Sequence, residues 1–213
     1  MLYNKLDETA EGVYIISATP FKDSGELDLE STKKLVDFYL EKGVDGITVL
    51  GVMGEAPKLT IEESKLFLNT VLKQVNQRVP IIVGVSNPGI DNLIDLSNFS
   101  MDNDAAGVMI APPPGIGTEE KLYNYLTNIL DKLDDRIPVC YQDYPFFTKS
   151  EISVATFNKI LEEYDQVVMF KHEEWPGLNK LSKLRKHSDN GDTRRVSVLT
   201  GNGGLFLPQE MQR

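Results

Sequence analysis

A short apolar strand, a loop and an amphipathic helix recur in that order along this chain, and the alternation constrains the fold more than any other feature. Strands read at Val13 to Ser17, Gly46 to Leu50, Pro80 to Val85, Ala106 to Ala111, Ile137 to Gln142, Gln166 to Lys171 and Val196 to Thr200. Helical spacing of apolar residues fills the intervals: Asp28 to Gly43, Thr60 to Val75, Asp91 to about Met101, Thr118 to about Leu133, Glu151 to Tyr164 and Leu178 to about His187. Strands begin roughly every 25 to 35 residues, the spacing of right-handed βαβ units. Seven such units without a hairpin signal favour an α/β fold of the closed (β/α)8 TIM barrel type over an open doubly wound sheet. Residues 1–213 read as a single barrel domain. The count stops one unit short, because a complete eight-fold barrel usually takes about 250 residues. The expected barrel is therefore C-terminally incomplete, with about seven βα units and neither strand eight nor the C-terminal helices, a shortened piece of a larger barrel.

Composition narrows the function. Of 213 residues, 41% are hydrophobic and 25% charged, the balance of an ordinary soluble domain. A formal net charge of -10 argues against nucleic acid as a partner. The opening residues lack the apolar core of a signal peptide, and no apolar stretch reaches spanning length, so no membrane association is expected and a cytoplasmic location is the default. Cys140 lies inside an apolar run and reads as a small core residue. His172 and His187 do not form a ligand cluster by spacing, and neither a metal nor a cofactor is called for.

In barrels of this kind the chemistry sits at the C-terminal ends of the strands. Those ends collect Thr19, Gly51 to Glu55, Ser86, Asn87, Pro112 to Gly115, Gln142 to Tyr144, Lys171 to Glu173, and Gly201 to Gly204. Lys171 closes the run Val-Val-Met-Phe-Lys. An amine withdrawn from bulk water gives up its proton more readily and becomes a nucleophile. The plainer reading is a surface lysine that follows a strand. Gly51 to Gly54 offers backbone N–H groups able to cradle a carboxylate, although a tight turn needs glycine for geometry alone.

Taken together, Ala18-Thr19-Pro20-Phe21, Gly51-Val52-Met53-Gly54-Glu55 with Leu59-Thr60 and Glu63, Gly84-Val85, Pro112-Pro113 and Phe170-Lys171 resemble the dihydrodipicolinate synthase and N-acetylneuraminate lyase family. The resemblance runs through essentially the whole chain. It implies that Lys171 forms a Schiff base with a 2-oxo acid and that Gly51, Val52 and Met53 hold the substrate carboxylate through backbone amides. Thr19, Gly201 and Asn202 would line the same site. It also implies a homo-oligomer, a tetramer of barrels. Most members carry two hydroxyl residues where this chain has Val52 and Met53. Their catalytic tyrosine, three residues before a proline, falls on Gln142 when counted back from Pro145. Tyr141 and Tyr144 flank that position, and alternation prevents Tyr141 and Gln142 from facing the same way.

With hydroxyls missing, Glu173 becomes the candidate acid–base group, two residues beyond Lys171 and on its side if the strand continues. A solvated carboxylate is the alternative. Met53, Gln142 to Pro145 and Lys171 to Glu173 resemble the branch that includes 2-keto-3-deoxy sugar acid dehydratases. The expected function is thus a Schiff-base lyase with Lys171, Glu173, Gln142 and Tyr144 as catalytic residues, most simply dehydrating a 2-keto-3-deoxy sugar acid. A pyruvate-dependent aldolase or dihydrodipicolinate synthase is the alternative within the family. An inactive barrel homologue, a 2-oxo acid binding protein, or a phosphate enzyme using the Gly201 to Gly204 loop lie outside it.

Overall fold

Apolar runs without polar alternation become strands when both of their faces are covered, and β2 (Gly46–Val49), β3 (Ile81–Gly84), β4 (Gly107–Ile110) and β5 (Val139–Asp143) are buried at every residue. The computed structural model describes residues 5–213, grouped in two units. One takes the chain up to Leu6 with Glu11–Met109, and the other takes Asp7–Ala10 with Ile110–Arg213.

In the first unit β1 (Tyr14–Ile16), β2, β3 and the start of β4 pair in parallel and in sequence order. The half-buried β1 contrasts with its fully buried neighbours. The connecting helices are α1 (Leu29–Glu41), α2 (Ile61–Val75) and α3 (Ile90–Asp102). Asp28 caps α1 by accepting from Ser31 N at 2.9 Å. Thr60 and Glu63 close a reciprocal capping box on α2, as their spacing predicts. Phe67, Leu68 and Val71 of α2 are wholly buried.

The second unit holds α4 (Glu119–Leu130), β5, α5 (Pro145–Thr148), α6 (Val154–Glu163), β6 (Val167–His172), α7 (Leu178–Asp189), β7 (Ser197–Thr200) and α8 (Leu207–Glu210). Strands β5, β6 and β7 are parallel neighbours. Between β5 and β6 the register slips by one: Val139 faces Val167, but Cys140 faces Met169, so Val168 has no partner. From there the ladder sets Gln142 beside Lys171 and Asp143 beside His172.

Several boundaries differ from the sequence expectation. The fifth strand runs on to Asp143 and the sixth to His172, because their ladder continues until Glu173 N donates to Asp143 O at 2.9 Å. Helix α6 starts at Val154, not Glu151, since the Ser153 hydroxyl accepts from Thr156 N and sets the first turn. Helix α4 ends at Leu130 rather than near Leu133. The short helix α5 follows Pro145, whose missing N–H costs nothing at a first helical turn. Among the described residues, no helix is long and apolar enough to cross a membrane.

Candidate active site

Strand β6 presents alternate residues to opposite sides, and its last turn of alternation separates two groups of polar side chains. Lys171 and Glu173 lie on one side. The Lys171 Nζ is 3.1 Å from Glu173 Oε1, with each side chain 8% exposed. Gln142, level with Lys171 on β5, donates its Nε2 to the same Glu173 oxygen at 2.6 Å. Asn202 N donates to the other carboxylate oxygen at 3.3 Å, and Asn202 Nδ2 donates to the Glu173 carbonyl at 3.3 Å. Glu173 is thus a buried carboxylate held by an amine, an amide and a main-chain N–H, not a solvated one. A charged acceptor gains most from such donors, and its burial is tolerable only with them.

Gly201 makes that placement sterically feasible. A Cβ there would fall inside the contact distance of Glu173 Cγ, 2.6 Å from Cδ and 3.0 Å from Oε2. The turn that follows carries Asn202, Gly203 and Gly204 at positive φ, a sequence of left-handed residues open mainly to asparagine and glycine. Gly201 N donates to His172 O, Gly204 N to Gly201 O, and Leu205 N to Asn202 O. With Asn202 N committed to Glu173, most of the loop's main-chain donors are engaged and a carboxylate is seated against it, which disfavours a phosphate.

The three candidates around Gln142 separate cleanly. Tyr141 points away from Glu173, packed against Phe157 and Phe170 at centroid distances of 5.8 and 6.0 Å. Its hydroxyl is buried without a partner, and burial, with Asp143 nearby, holds its pKa well above the usual phenol range. Tyr144 caps α5 and stacks on Phe147 at 6.0 Å. Glu173 is held by Lys171, Gln142 and Asn202, and Tyr144 is not among these partners. Cys140 is fully buried, and desolvation pushes its thiol up to about 12.

Thr19, Gly51, Val52 and Met53 belong to the first unit. Thr19 is buried and donates its Oγ1 to Gly54 O at 2.6 Å, tying the first loop to the second. Gly51 is buried, while Val52 and Met53 are exposed. Gly84 leaves room for this loop, since a Cβ there would lie 2.7 Å from Leu50 C and 3.2 Å from Gly51 N.

On the opposite side of β5 and β6 lies a group that sequence reading missed. Asp143 and His172 are fully buried, and ligand atoms of Asp143, His172 and Glu174 fall within 4.8 Å of one another. Lys180 of α7 inserts its ammonium here, 2.9 Å from Asp143 Oδ2 and paired with Glu174. Burial raises the Asp143 pKa to about 6, with Lys180 opposing the shift. Burial lowers that of Lys180, but Asp143 and Glu174 outweigh it and hold the amine above its ordinary value. His172 Nδ1 meets Glu210 Oε1 of α8 at 2.9 Å. His172 is therefore hydrogen-bonded in a polar cluster and not merely packed. One signal pointed there: Asp143 and His172 follow strand residues already chosen, so alternation put them on a covered face.

Comparison with known proteins agrees with this architecture. The model of the dihydrodipicolinate synthetase family matches residues 9–208. A 4-hydroxy-tetrahydrodipicolinate synthase of Methanosphaera stadtmanae is 32% identical over 205 residues, covering 95% of this chain and 67% of the relative. One of Aquifex aeolicus is 30% identical, over 93% of this chain and 65% of the relative. The crystal structure of dihydrodipicolinate synthase from Rhodopseudomonas palustris superposes with a TM-score of 0.94 at 41% identity, over 99% of this chain and 69% of that one. The chain spans about two thirds of the length of the relatives it matches. The fold is of the TIM-barrel α/β class, as the seven-fold alternation predicts.

Proposed function

Since the chain belongs to the dihydrodipicolinate synthetase family, whose members are lyases, we propose that it is a Schiff-base enzyme acting on a 2-oxo acid through Lys171. What carries the reading is the buried Glu173 carboxylate, 3.1 Å from the Lys171 amine and accepting from Gln142 at 2.6 Å. Glu173 first takes a proton from the Lys171 ammonium, and the neutral amine adds to the C2 carbonyl, its own proton passing to the carbonyl oxygen. Glu173 then returns its proton to the carbinolamine hydroxyl, which leaves as water to give an iminium ion. The iminium draws electrons from C3, and Glu173 removes a C3 proton to form an enamine. Gln142 keeps the carboxylate aimed while its charge changes.

The enamine has two fates. In a condensation its electron pair forms a bond to an aldehyde carbon, and the aldehyde oxygen takes a proton. In a dehydration the pair expels a hydroxyl from C4, which leaves with a proton from Glu173. Water then hydrolyses the iminium and frees the lysine. The names of the relatives favour the condensing synthase. Dehydration of a 2-keto-3-deoxy sugar acid is supported by one specific observation: Gln142 and Glu173 are hydrogen-bonded beside Lys171, with Tyr141 turned into the core. Thr19, Gly51, Val52 and Met53 would bind the substrate carboxylate side, and Tyr144 would contribute from the rim. A homotetramer is the assembly the family resemblance implies.

Incubation with pyruvate and sodium borohydride, followed by peptide mass mapping, tests the core of the reading. A reduced adduct on Lys171 is expected, and its loss in Lys171→Met. An intact folded protein that gives no adduct refutes it. Consumption of pyruvate with an aldehyde then selects the synthase, and turnover of a 2-keto-3-deoxy sugar acid without pyruvate release selects the dehydratase.

A further inference from the structure

The buried cation of Lys180 sits behind the same two peptide units that carry the reacting pair. Asp143 follows Gln142 on β5, and Glu174 follows Glu173 just past β6. Alternation sends Gln142 and Glu173 to one side and Asp143 and Glu174 to the other. One ammonium bridges Asp143 and Glu174, with the Lys180 side chain 11% exposed and that of Asp143 wholly buried. Between them the backbone bond from Glu173 N to Asp143 O, 2.9 Å long, joins the same two segments.

We propose that Lys180 is a positioning residue: an internal cation that clamps the ends of β5 and β6 and thereby fixes the Gln142–Glu173 hydrogen bond from behind. Burying three ionised groups is costly, and an apolar cluster of similar volume would serve stability as well or better. What the ions add is directional. Two carboxylates held on one ammonium set the separation of their strand ends, where apolar contacts would leave it free to slide. Asp143, His172 and Glu174 have the donor types of a metal site, but Lys180 stands between the carboxylates and supplies the positive charge there. His172 Nδ1 meets Glu210 and so adds a second tie to the same strand end, while its Nε2 is buried without a partner.

The inference rests on Lys171 and Glu173 being the reacting pair, and its test separates the two claims. In the full-length protein, Lys180→Met, Lys180→Arg and Glu174→Gln are compared with wild type by crystallography, steady-state kinetics and borohydride trapping with pyruvate. Lys180→Met is expected to open the Gln142 Nε2 to Glu173 Oε1 contact beyond hydrogen-bond reach. Its kcat should fall about 10- to 100-fold, as a misplacement near 1 Å does, while KM stays within about threefold. Lys180→Arg should restore the contact and most of kcat. A folded Lys180→Met that keeps the 2.6 Å contact and wild-type kcat overturns the proposal. Should that variant not fold, Glu174→Gln removes one leg of the clamp at a partly exposed position, and an unchanged kcat there overturns it equally. Failure of wild type to trap pyruvate counts against the Schiff-base reading alone, since the Gln142–Glu173 separation still decides the clamp.

Discussion

Gly201→Ala is the substitution whose outcome the geometry fixes most tightly. Gly201 has φ of -82°, which alanine adopts without strain, so the backbone gives no reason for the change to hurt. The whole effect comes from Glu173. An added Cβ would overlap Glu173 Cγ outright and lie 2.6 Å from Cδ, where ordinary contact begins at 3.4 Å, so the side chain must retreat by at least about 0.8 Å. Its hydrogen bond to Gln142 is 2.6 Å long and its ion pair with Lys171 3.1 Å, and a retreat of that size takes both out of good geometry. Overpacking of this kind costs about 1–3 kcal/mol of stability, a fall in Tm of a few degrees for a chain of this length. Loss of acid–base alignment should lower kcat about 100-fold. Thermal unfolding, kinetics and a double-mutant cycle with Glu173→Ala check this. In the Glu173→Ala background the three atoms that the methyl crowds most are gone, so Gly201→Ala should then be nearly neutral. Equal losses in both backgrounds, or a Gly201→Ala variant with wild-type kcat, would refute the reasoning.

Other outcomes follow from the same geometry. Tyr141→Phe removes a buried hydroxyl without a partner, so stability should hold or rise by up to about 1 kcal/mol with kcat unchanged, measured by urea unfolding and turnover. Asp143, raised to about 6 by burial, holds a proton more tightly folded than unfolded. Stability from that proton is fully present below the ordinary carboxylate range and is lost as pH rises through about 6. Asp143→Asn should flatten this dependence by up to about 3 kcal/mol between pH 4 and 7, read from urea midpoints. Cys140, buried with its thiol near 12, should resist alkylation in the native protein and react only on unfolding. Thr60→Ala removes half of the α2 capping box and should cost about 1 kcal/mol.

The alternation that placed seven strands was legible because each strand is an unbroken apolar run and each helix repeats its apolar stripe. Lys171, Gln142 and Glu173 were legible for a second reason, since strand parity alone puts Lys171 with Glu173 and sets Tyr141 against Gln142. What parity does not disclose is distance between elements. The need for glycine at 201 is imposed by a side chain 28 positions earlier, and nothing local to the loop announces it. Lys180 was hidden in the same way. On α7 it reads as one more cation on a basic helix, and only the fold brings it to Asp143 and Glu174. Asp143 and His172 stand among the strand-end residues of the sequence, but that Lys180 and Glu210 meet them on the covered side is set by the fold.

The slip at Val168 works like a reading frame. Val168 has no partner on β5, yet every pairing after it depends on its being skipped. Were Val168 to enter the ladder opposite Cys140, the pairing counted up from Val139 and Val167 would set Gln142 level with Phe170 and Asp143 level with Lys171. One unpaired residue thus decides which side chains meet at the two strand ends. The side chain at position 142 can be exchanged for another, but which residue of β6 stands beside it is written in a spacing, and a spacing cannot be altered by degrees.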